Sequence, residues 1–316
     1  MKILFLDRVH ASLNSMLSQE GHHCVEAYHE SREAIMEMLP EFEGIVLRSR
    51  ILIDRDFLDR AVNLKFIARA GAGMESIDVE ASKERKVLCL NAPEGNRDAV
   101  AEHAMGMLLA LNNNLIRADR EVRQALWKRE ENRGRELKGK TVGLIGFGNT
   151  GQAFAKKLSG FECKVIAFDK YRTGFGSDLV KEVRPEEIFH ESDVLSLHIP
   201  LTRETEYMIN EEFIERFRKN FLIINTSRGR CLDTNALVKA MISGKIQGAC
   251  LDVLEFEDPS FEKVGNSDQD FRKSESWKFL IASDRVILSP HIAGWTFESH
   301  EKISAVLFEK IKALGL

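Results

Sequence analysis

Apolar and polar positions along this chain follow two rhythms that keep exchanging places. Residues 2–6, 44–47, 66–68 and 87–90 form short apolar runs rich in branched and aromatic side chains. They are too brief for helices and read as buried strands. Between them, 12–19, 32–39, 54–60 and 79–85 carry apolar residues at helical spacing, and 24–26 reads as a weaker strand. Pro40 closes the second of these helices, because proline has no N–H to continue the ladder. A turn-rich break at 91–96 interrupts the rhythm, and a long helix starts at Arg97 or Asp98 and runs through Ala101, Ala104, Met105, Leu108 and Leu109. A second series follows, with strands at 141–145, 164–168, 194–199, 221–225, 248–253 and 286–288. Helices at 152–158, 186–189, 211–217 and 233–243 separate them, and 298–316 closes the chain. Strands alternating with helices predict an α/β protein of doubly wound parallel sheets, with ligand surfaces at the C-terminal strand ends. Two stretches stand apart. The charged segment 112–138, with Trp127 inside it, reads as an arm or partner-facing surface, and the polar segment 257–276 as a mobile surface loop.

Residues 140–169 form one βαβ unit with Gly146-Phe147-Gly148-Asn149-Thr150-Gly151 at its first strand-to-helix turn and Asp169 at the end of its second strand. This spacing predicts a dinucleotide site. Gly146 permits the tight turn, Gly148 lets backbone approach a pyrophosphate, and Gly151 lets the helix sit close to the sheet. The helix start at Asn149 and Thr150 offers free N–H groups to the phosphates. Asp169 would accept hydrogen bonds from the adenosine ribose and repel a 2′-phosphate, so NAD is preferred over NADP. Lys170 and Arg172 soften that exclusion.

Composition narrows the classes. A length of 316 residues suggests two domains, and 44% hydrophobic with 30% charged residues is ordinary for a globular protein. A net charge of −4 argues against nucleic acid or an anionic membrane as partner. No apolar run approaches the ~20 residues of a spanning helix, and Asp7 and Arg8 come too early for a signal-peptide core. Five scattered cysteines read as reduced thiols of a cytoplasmic protein. His22-His23-Cys24 is not taken as a metal site, because adjacent strand residues face opposite ways.

Three pieces sit just after strands of the second series: Thr226-Ser227-Arg228-Gly229, Glu255-Phe256-Glu257 and Pro290-His291. Arginine offers a planar fork for a carboxylate, and histidine exchanges a proton near neutral pH. A carboxylate beside that histidine would orient its ring and favour the protonated form.

With these pieces in place the chain resembles the D-isomer-specific 2-hydroxyacid dehydrogenases, and especially their 3-phosphoglycerate dehydrogenase branch. The matching segments are Leu47-Arg48-Ser49-Arg50, the run from Ala70 through Ala72 and Gly73 to Asp78, Asn91 to Asn96, the glycine-rich turn, Ile224 to Arg230, Leu251 to Pro259 and Ser289 to Trp295. The resemblance implies a Rossmann-type NAD domain, 97–294, inserted into a flavodoxin-like substrate domain of 1–96 and 295–316. The active site would lie in the cleft, and the NAD domain would carry a homodimer contact. It implies that Arg228 holds the substrate carboxylate, His291 is the acid/base at C2, and Glu257 pairs with the histidine. Thr226 and Asp252 would line the cofactor, and the backbone of Ala72 and Gly73 would meet the carboxylate. Two departures stand out: Leu254 replaces the usual Phe, and Asp258 separates Glu257 from Pro259. The second leaves Glu255 as a possible substitute for Glu257. The chain has no room after His291 for the regulatory domain of some relatives, so serine feedback through one is not expected.

Arg48, Arg50 and Arg69 lie at strand ends of the substrate domain, and forks of this kind suit a substrate phosphate. The expected substrate is therefore 3-phosphoglycerate or 3-phosphohydroxypyruvate, in serine biosynthesis. The rivals are a glyoxylate or hydroxypyruvate reductase of the same family and an NAD-sensing corepressor-like protein.

Overall fold

Strands β1 (Lys2–Phe5), β2 (His23–Glu26), β3 (Gly44–Leu47), β4 (Phe66–Arg69) and β5 (Leu88–Asn91) form a parallel sheet in the order β2-β1-β3-β4-β5. This is the flavodoxin-like strand order. The computed structural model describes residues 1–257 and 271–315. Within it the first sheet belongs to one compact unit, 1–97 with 295–315, and the remaining described residues form a second. The second unit holds β6 (Thr141–Ile145), β7 (Lys164–Phe168), β8 (Lys181–Glu182), β9 (Val194–Leu197), β10 (Phe221–Asn225), β11 (Ile246–Leu251) and β12 (Val286–Leu288). They pair in parallel as β12-β11-β10-β9-β6-β7-β8, the dinucleotide-fold order with one added edge strand.

The apolar runs are continuous because both sheet faces are covered. Ile223 and Ile224, neighbours on β10, enter different hydrophobic clusters, and so do Ile45 and Val46 on β3. A parallel sheet clothed on both sides leaves its central strands no polar face. The closing helix Phe297–Lys312 places Ile303, Leu307 and Ile311 against Ile3, Phe5 and Leu13 of the first unit. Lys310 reaches the Asn91 carbonyl and Glu94 at 2.8 and 3.0 Å.

Several boundaries differ from the sequence reading. The long helix begins at Pro93, not at Arg97 or Asp98, and spans Pro93–Asn112. Proline is tolerated at the first helical position, where its missing N–H is not needed. Gly95 lies inside this helix because a Cβ there would sit 2.6 Å from the Ile303 nitrogen. The expected arm contains a helix, Leu115–Arg123, with no buried residue. Glu275–Ala282 is helical, capped by Ser274, and the expected surface loop otherwise lies largely outside the described residues, with Asp258 and Pro259. Among the described residues no helix is long and apolar enough to cross a membrane.

Candidate active site

The glycine-rich turn follows β6, whose five residues are all buried. Gly146 has φ +89°, and a Cβ on it would lie 2.3 Å from the His198 carbonyl oxygen. At Gly151 a Cβ would lie 2.3 Å from the Gly146 carbonyl oxygen, so the helix can approach the turn only without one. Gly148 is different: a Cβ there meets nothing within 4 Å, and the space beside its backbone is open. Gly148 caps the helix Asn149–Leu158 without a side-chain hydrogen bond, so among the described residues no side chain caps this helix start at Asn149 and Thr150. An open approach to unsatisfied N–H groups at the positive end of a helix fits a pyrophosphate.

Asp169 is bound into this turn. Its carboxylate accepts from the N–H groups of Phe147 (2.7 Å), Tyr171 (2.9 Å) and Arg172 (3.1 Å). Of about four acceptor sites on a carboxylate, one remains for a ribose hydroxyl. Arg172 Nη1 donates to the Phe147 carbonyl at 2.7 Å, which holds its guanidinium against the same turn. At the end of β10 the Thr226 hydroxyl is buried without a hydrogen-bond partner among the described residues. An orphaned hydroxyl at a C-terminal strand end also fits a bound polar ligand.

Arg228 follows Thr226 and Ser227, and its Nη1 donates to the Ser227 carbonyl at 2.6 Å. Gly229 brings this loop against the acidic loop after β11. A Cβ on Gly229 would lie 1.9 Å from the Leu254 carbonyl oxygen. The two glutamates of the acidic loop then part ways. Glu255 accepts from the Thr234 N–H at 3.0 Å, at the start of the helix Thr234–Ile242. Glu257 accepts from the Leu254 N–H through Oε1 (2.5 Å), and its Oε2 lies 2.8 Å from His291 Nδ1. The histidine is thus paired with Glu257 and not with Glu255.

His291 has φ +54°, a left-handed conformation that costs a non-glycine residue about 1–2 kcal/mol. Asp252 holds it there. The Asp252 carbonyl accepts the His291 N–H at 2.7 Å. Its carboxylate, in a residue only 1% exposed, takes Ser289 Oγ (2.6 Å) and the N–H groups of Ile292 (2.9 Å) and Ala293 (2.8 Å). Asp252 was expected to line the cofactor. Its burial and three donors make it a positioning residue for the histidine loop as well. His103, on the long helix, completes the network at 2.9 Å from Ser289 Oγ. The sequence reading missed His103, whose only signal is a histidine amid an otherwise apolar helical pattern.

In the first unit Asp7, also missed, lies two residues after β1 and organises the Arg48 loop. One of its carboxylate oxygens accepts from the N–H groups of Arg48 (2.6 Å), Ser49 (3.1 Å) and Arg50 (3.3 Å). An acid closing an apolar strand is the same signal that singled out Asp169. Arg50 was expected to bind substrate, and the structure corrects this. Its guanidinium donates to the carbonyls of Leu6 (3.1 and 2.6 Å), Ala27 (2.9 Å) and Glu30 (2.9 Å). Arg48 instead lies 4.0 Å over the ring of Trp295. Arg69 donates through Nε to the Arg48 carbonyl at 3.1 Å and passes over Gly71. Beyond it Asn91 Nδ2 pins the Ala72 carbonyl at 2.6 Å. The N–H groups of Ala72 and Gly73 donate to no described residue, which suits them to a carboxylate.

Comparison with known proteins adds the following. A family model described as D-isomer specific 2-hydroxyacid dehydrogenase, NAD binding domain, matches residues 105–293. A hydroxypyruvate reductase of Thermotoga maritima is 39% identical over 294 residues, covering 92% of this chain and 91% of its own. A D-3-phosphoglycerate dehydrogenase of Archaeoglobus fulgidus is 35% identical over 283 residues, covering 89% of this chain and 51% of its own. Among solved structures, D-lactate dehydrogenase of Aquifex aeolicus, complexed with NAD and lactic acid, matches with a TM-score of 0.83 at 28% identity, covering 99% of this chain and 95% of its own.

Proposed function

The chain belongs to the D-isomer specific 2-hydroxyacid dehydrogenase family and is an NAD-dependent oxidoreductase, and from that premise we propose that it acts at C2 of an acid with the hydroxypyruvate skeleton, favouring 3-phosphohydroxypyruvate and its reduced form, D-3-phosphoglycerate. When bound, NAD supplies or takes up the hydride. His291 gives a proton to the C2 oxygen in reduction and removes it in oxidation. Glu257, 2.8 Å from Nδ1, accepts the N–H of that nitrogen, so Nε2 is the atom that exchanges the proton. Arg228 pairs with the substrate carboxylate and steadies charge developing on the C2 oxygen. Asp252 keeps the histidine loop in its strained conformation throughout.

The His291–Glu257 pair, beside the Arg228 loop and in the same unit as the glycine-rich turn, is the observation that carries this reading. A second reading, reduction of unphosphorylated hydroxypyruvate, is favoured by the 39% identity to a hydroxypyruvate reductase and by the loss of Arg50 as a phosphate donor. The test mixes purified protein and NADH with 3-phosphohydroxypyruvate, hydroxypyruvate, glyoxylate and pyruvate, and follows NADH absorbance. The two acids with the hydroxypyruvate skeleton should give the highest kcat/KM. A preference for glyoxylate or pyruvate would refute the substrate assignment.

The same reading includes a cytoplasmic homodimer formed through the NAD-binding unit. Leu115, Ile116, Val122, Leu126 and Trp127 are large apolar side chains exposed on the Leu115–Arg123 helix and the segment after it. Burying them against a second copy would remove their apolar surface from water. Sedimentation should give about twice the 35.9 kDa chain mass, and Trp127→Glu with Ile116→Glu should halve it. A wild-type monomer at micromolar concentration would exclude the dimer.

A further inference from the structure

We propose that Glu204 is a specificity-determining residue for the cofactor: by drawing Lys170 and Tyr171 onto one carboxylate oxygen, it withholds from a 2′-phosphate the donors that follow Asp169. This discrimination concerns the NAD site alone and is independent of which acid is reduced.

Asp169 follows β7 and is succeeded at once by three side chains that carry donors, Lys170, Tyr171 and Arg172. An arginine near this acid is a common means of admitting a 2′-phosphate, and the sequence reading accordingly has Lys170 and Arg172 soften the preference for NAD. The structure draws all three donors away. Lys170 Nζ donates to Glu204 Oε2 at 2.6 Å, and the Tyr171 hydroxyl donates to the same oxygen at 2.9 Å. Arg172 Nη1 donates to the Phe147 carbonyl at 2.7 Å. Asp169 itself is held by three backbone N–H groups, so its charge stays where the ribose arrives.

The place of Glu204 in the fold explains its reach. Strands β7 and β9 lie on either side of β6, so the loops that follow them flank the glycine-rich turn. Glu204 belongs to the loop after β9. There Thr205 Oγ1 donates to the Pro200 carbonyl (2.6 Å) and accepts from the Thr202 N–H (2.8 Å), and the Glu206 N–H donates to the Thr202 carbonyl (2.9 Å). These bonds fix a tight turn around position 204. A dinucleotide with its pyrophosphate on the glycine-rich turn and its ribose at Asp169 passes the clasp that Glu204 makes with Lys170 and Tyr171.

Stability does not account for the clasp. The Lys170 and Glu204 side chains are 58% and 55% exposed, and exposed ion pairs contribute little to folding. Its consequence is electrostatic. The bonds from Lys170 and Tyr171 hold the Glu204 carboxyl below the usual carboxylate range, so it is ionised at neutral pH and cancels the Lys170 charge. Without Glu204 the local charge rises by one, and an ammonium and a phenol are released toward a group that carries about two negative charges. NADH lacks that group and gains nothing from their release.

The experiment titrates the purified protein with NADH and with NADPH by fluorescence, at low and high salt. Wild type is compared with Glu204→Ala and with Glu204→Ala carrying Lys170→Met and Tyr171→Phe as well. The wild type should bind NADH more tightly than NADPH. Glu204→Ala should tighten NADPH about tenfold while NADH stays within about twofold, and the gain should shrink as salt is raised. Adding Lys170→Met and Tyr171→Phe should remove most of that gain. A loop-supporting role alone would weaken both cofactors by one factor and leave their ratio unmoved, and that result would overturn the assignment. A gain that survives the loss of Lys170 and Tyr171 would overturn it too. If Glu204→Ala fails to fold, Glu204→Gln, which keeps the shape and removes the charge, decides by the same ratio. A wild type that binds NADPH as tightly as NADH overturns the guard and leaves the dinucleotide site intact, whereas one that binds neither overturns the site itself.

Discussion

Arg50→Ala separates a structural arginine from a substrate-binding one, and the structure sets the size of the effect. The guanidinium satisfies the carbonyls of Leu6, Ala27 and Glu30 and lies 3.5 Å from Asp7. Leu6 and Ala27 are buried, at 0% and 2% exposure, whereas Glu30 is exposed and can turn to water. Removing the donors leaves two buried carbonyls unsatisfied, and each such group costs about 1–3 kcal/mol. The Arg50 side chain is 31% exposed, so water enters part of the vacated space and reduces the sum to about 2–4 kcal/mol. Trp295 belongs to the same unit and reports its unfolding by fluorescence during urea denaturation. We expect the midpoint to fall with little change in slope, and Arg50→Lys to lie between the two proteins, because an ammonium cannot fork to three carbonyls. The ratio of kcat/KM between phosphorylated and unphosphorylated acids should hold within about twofold of wild type. An alanine variant of wild-type stability that has lost its preference for the phosphorylated acid would refute this reasoning and return Arg50 to the substrate.

Three further outcomes follow from the same geometry. His198 is buried beneath the glycine-rich turn, and burial lowers its pKa to about 3. Unfolded chains therefore bind its proton first, so stability should fall as pH drops from about 6.5 toward 3, by about 2 kcal/mol at pH 5. His198→Gln should remove that part of the pH dependence in denaturant titrations at pH 7 and pH 5, and an unchanged difference between the two would count against it. Glu257→Gln should lower kcat by about 10²–10³-fold, within the range for acid–base assistance. Glu255→Ala should instead cost about 1 kcal/mol in thermal or urea unfolding through the Thr234 cap while sparing kcat, and the reverse pattern would exchange the two roles. Gly229→Ala should reduce kcat/KM at least a hundredfold while NADH still binds by fluorescence titration, because the new Cβ must displace the Leu254 carbonyl that borders Arg228. Full activity in that variant would show that the two loops need not touch.

The sequence by itself determined the elements and the chemistry types. Continuous apolar runs named the central strands, because a strand buried on both faces has no polar side to show. The glycine spacing named the nucleotide turn, since Gly146 and Gly151 occupy positions where any Cβ would meet backbone. Arg228, Glu257 and His291 stood out as candidates because each follows a strand at the edge where such sheets bind ligands. Tertiary structure alone decided between similar residues. Strand periodicity places Arg48 and Arg50 on one side, yet it cannot show that the carbonyls of Leu6, 44 residues away, and Ala27, 23 away, claim Arg50. Spacing favoured Glu257 but left Glu255 open as a substitute until the Thr234 N–H took Glu255 and His291 paired with Glu257. His103 carried little local signal, because its partner comes from a distant segment: Ser289 lies 186 residues away. Local pattern fixes which backbone forms, while the fate of a polar side chain depends on which distant donors and acceptors the finished fold leaves beside it.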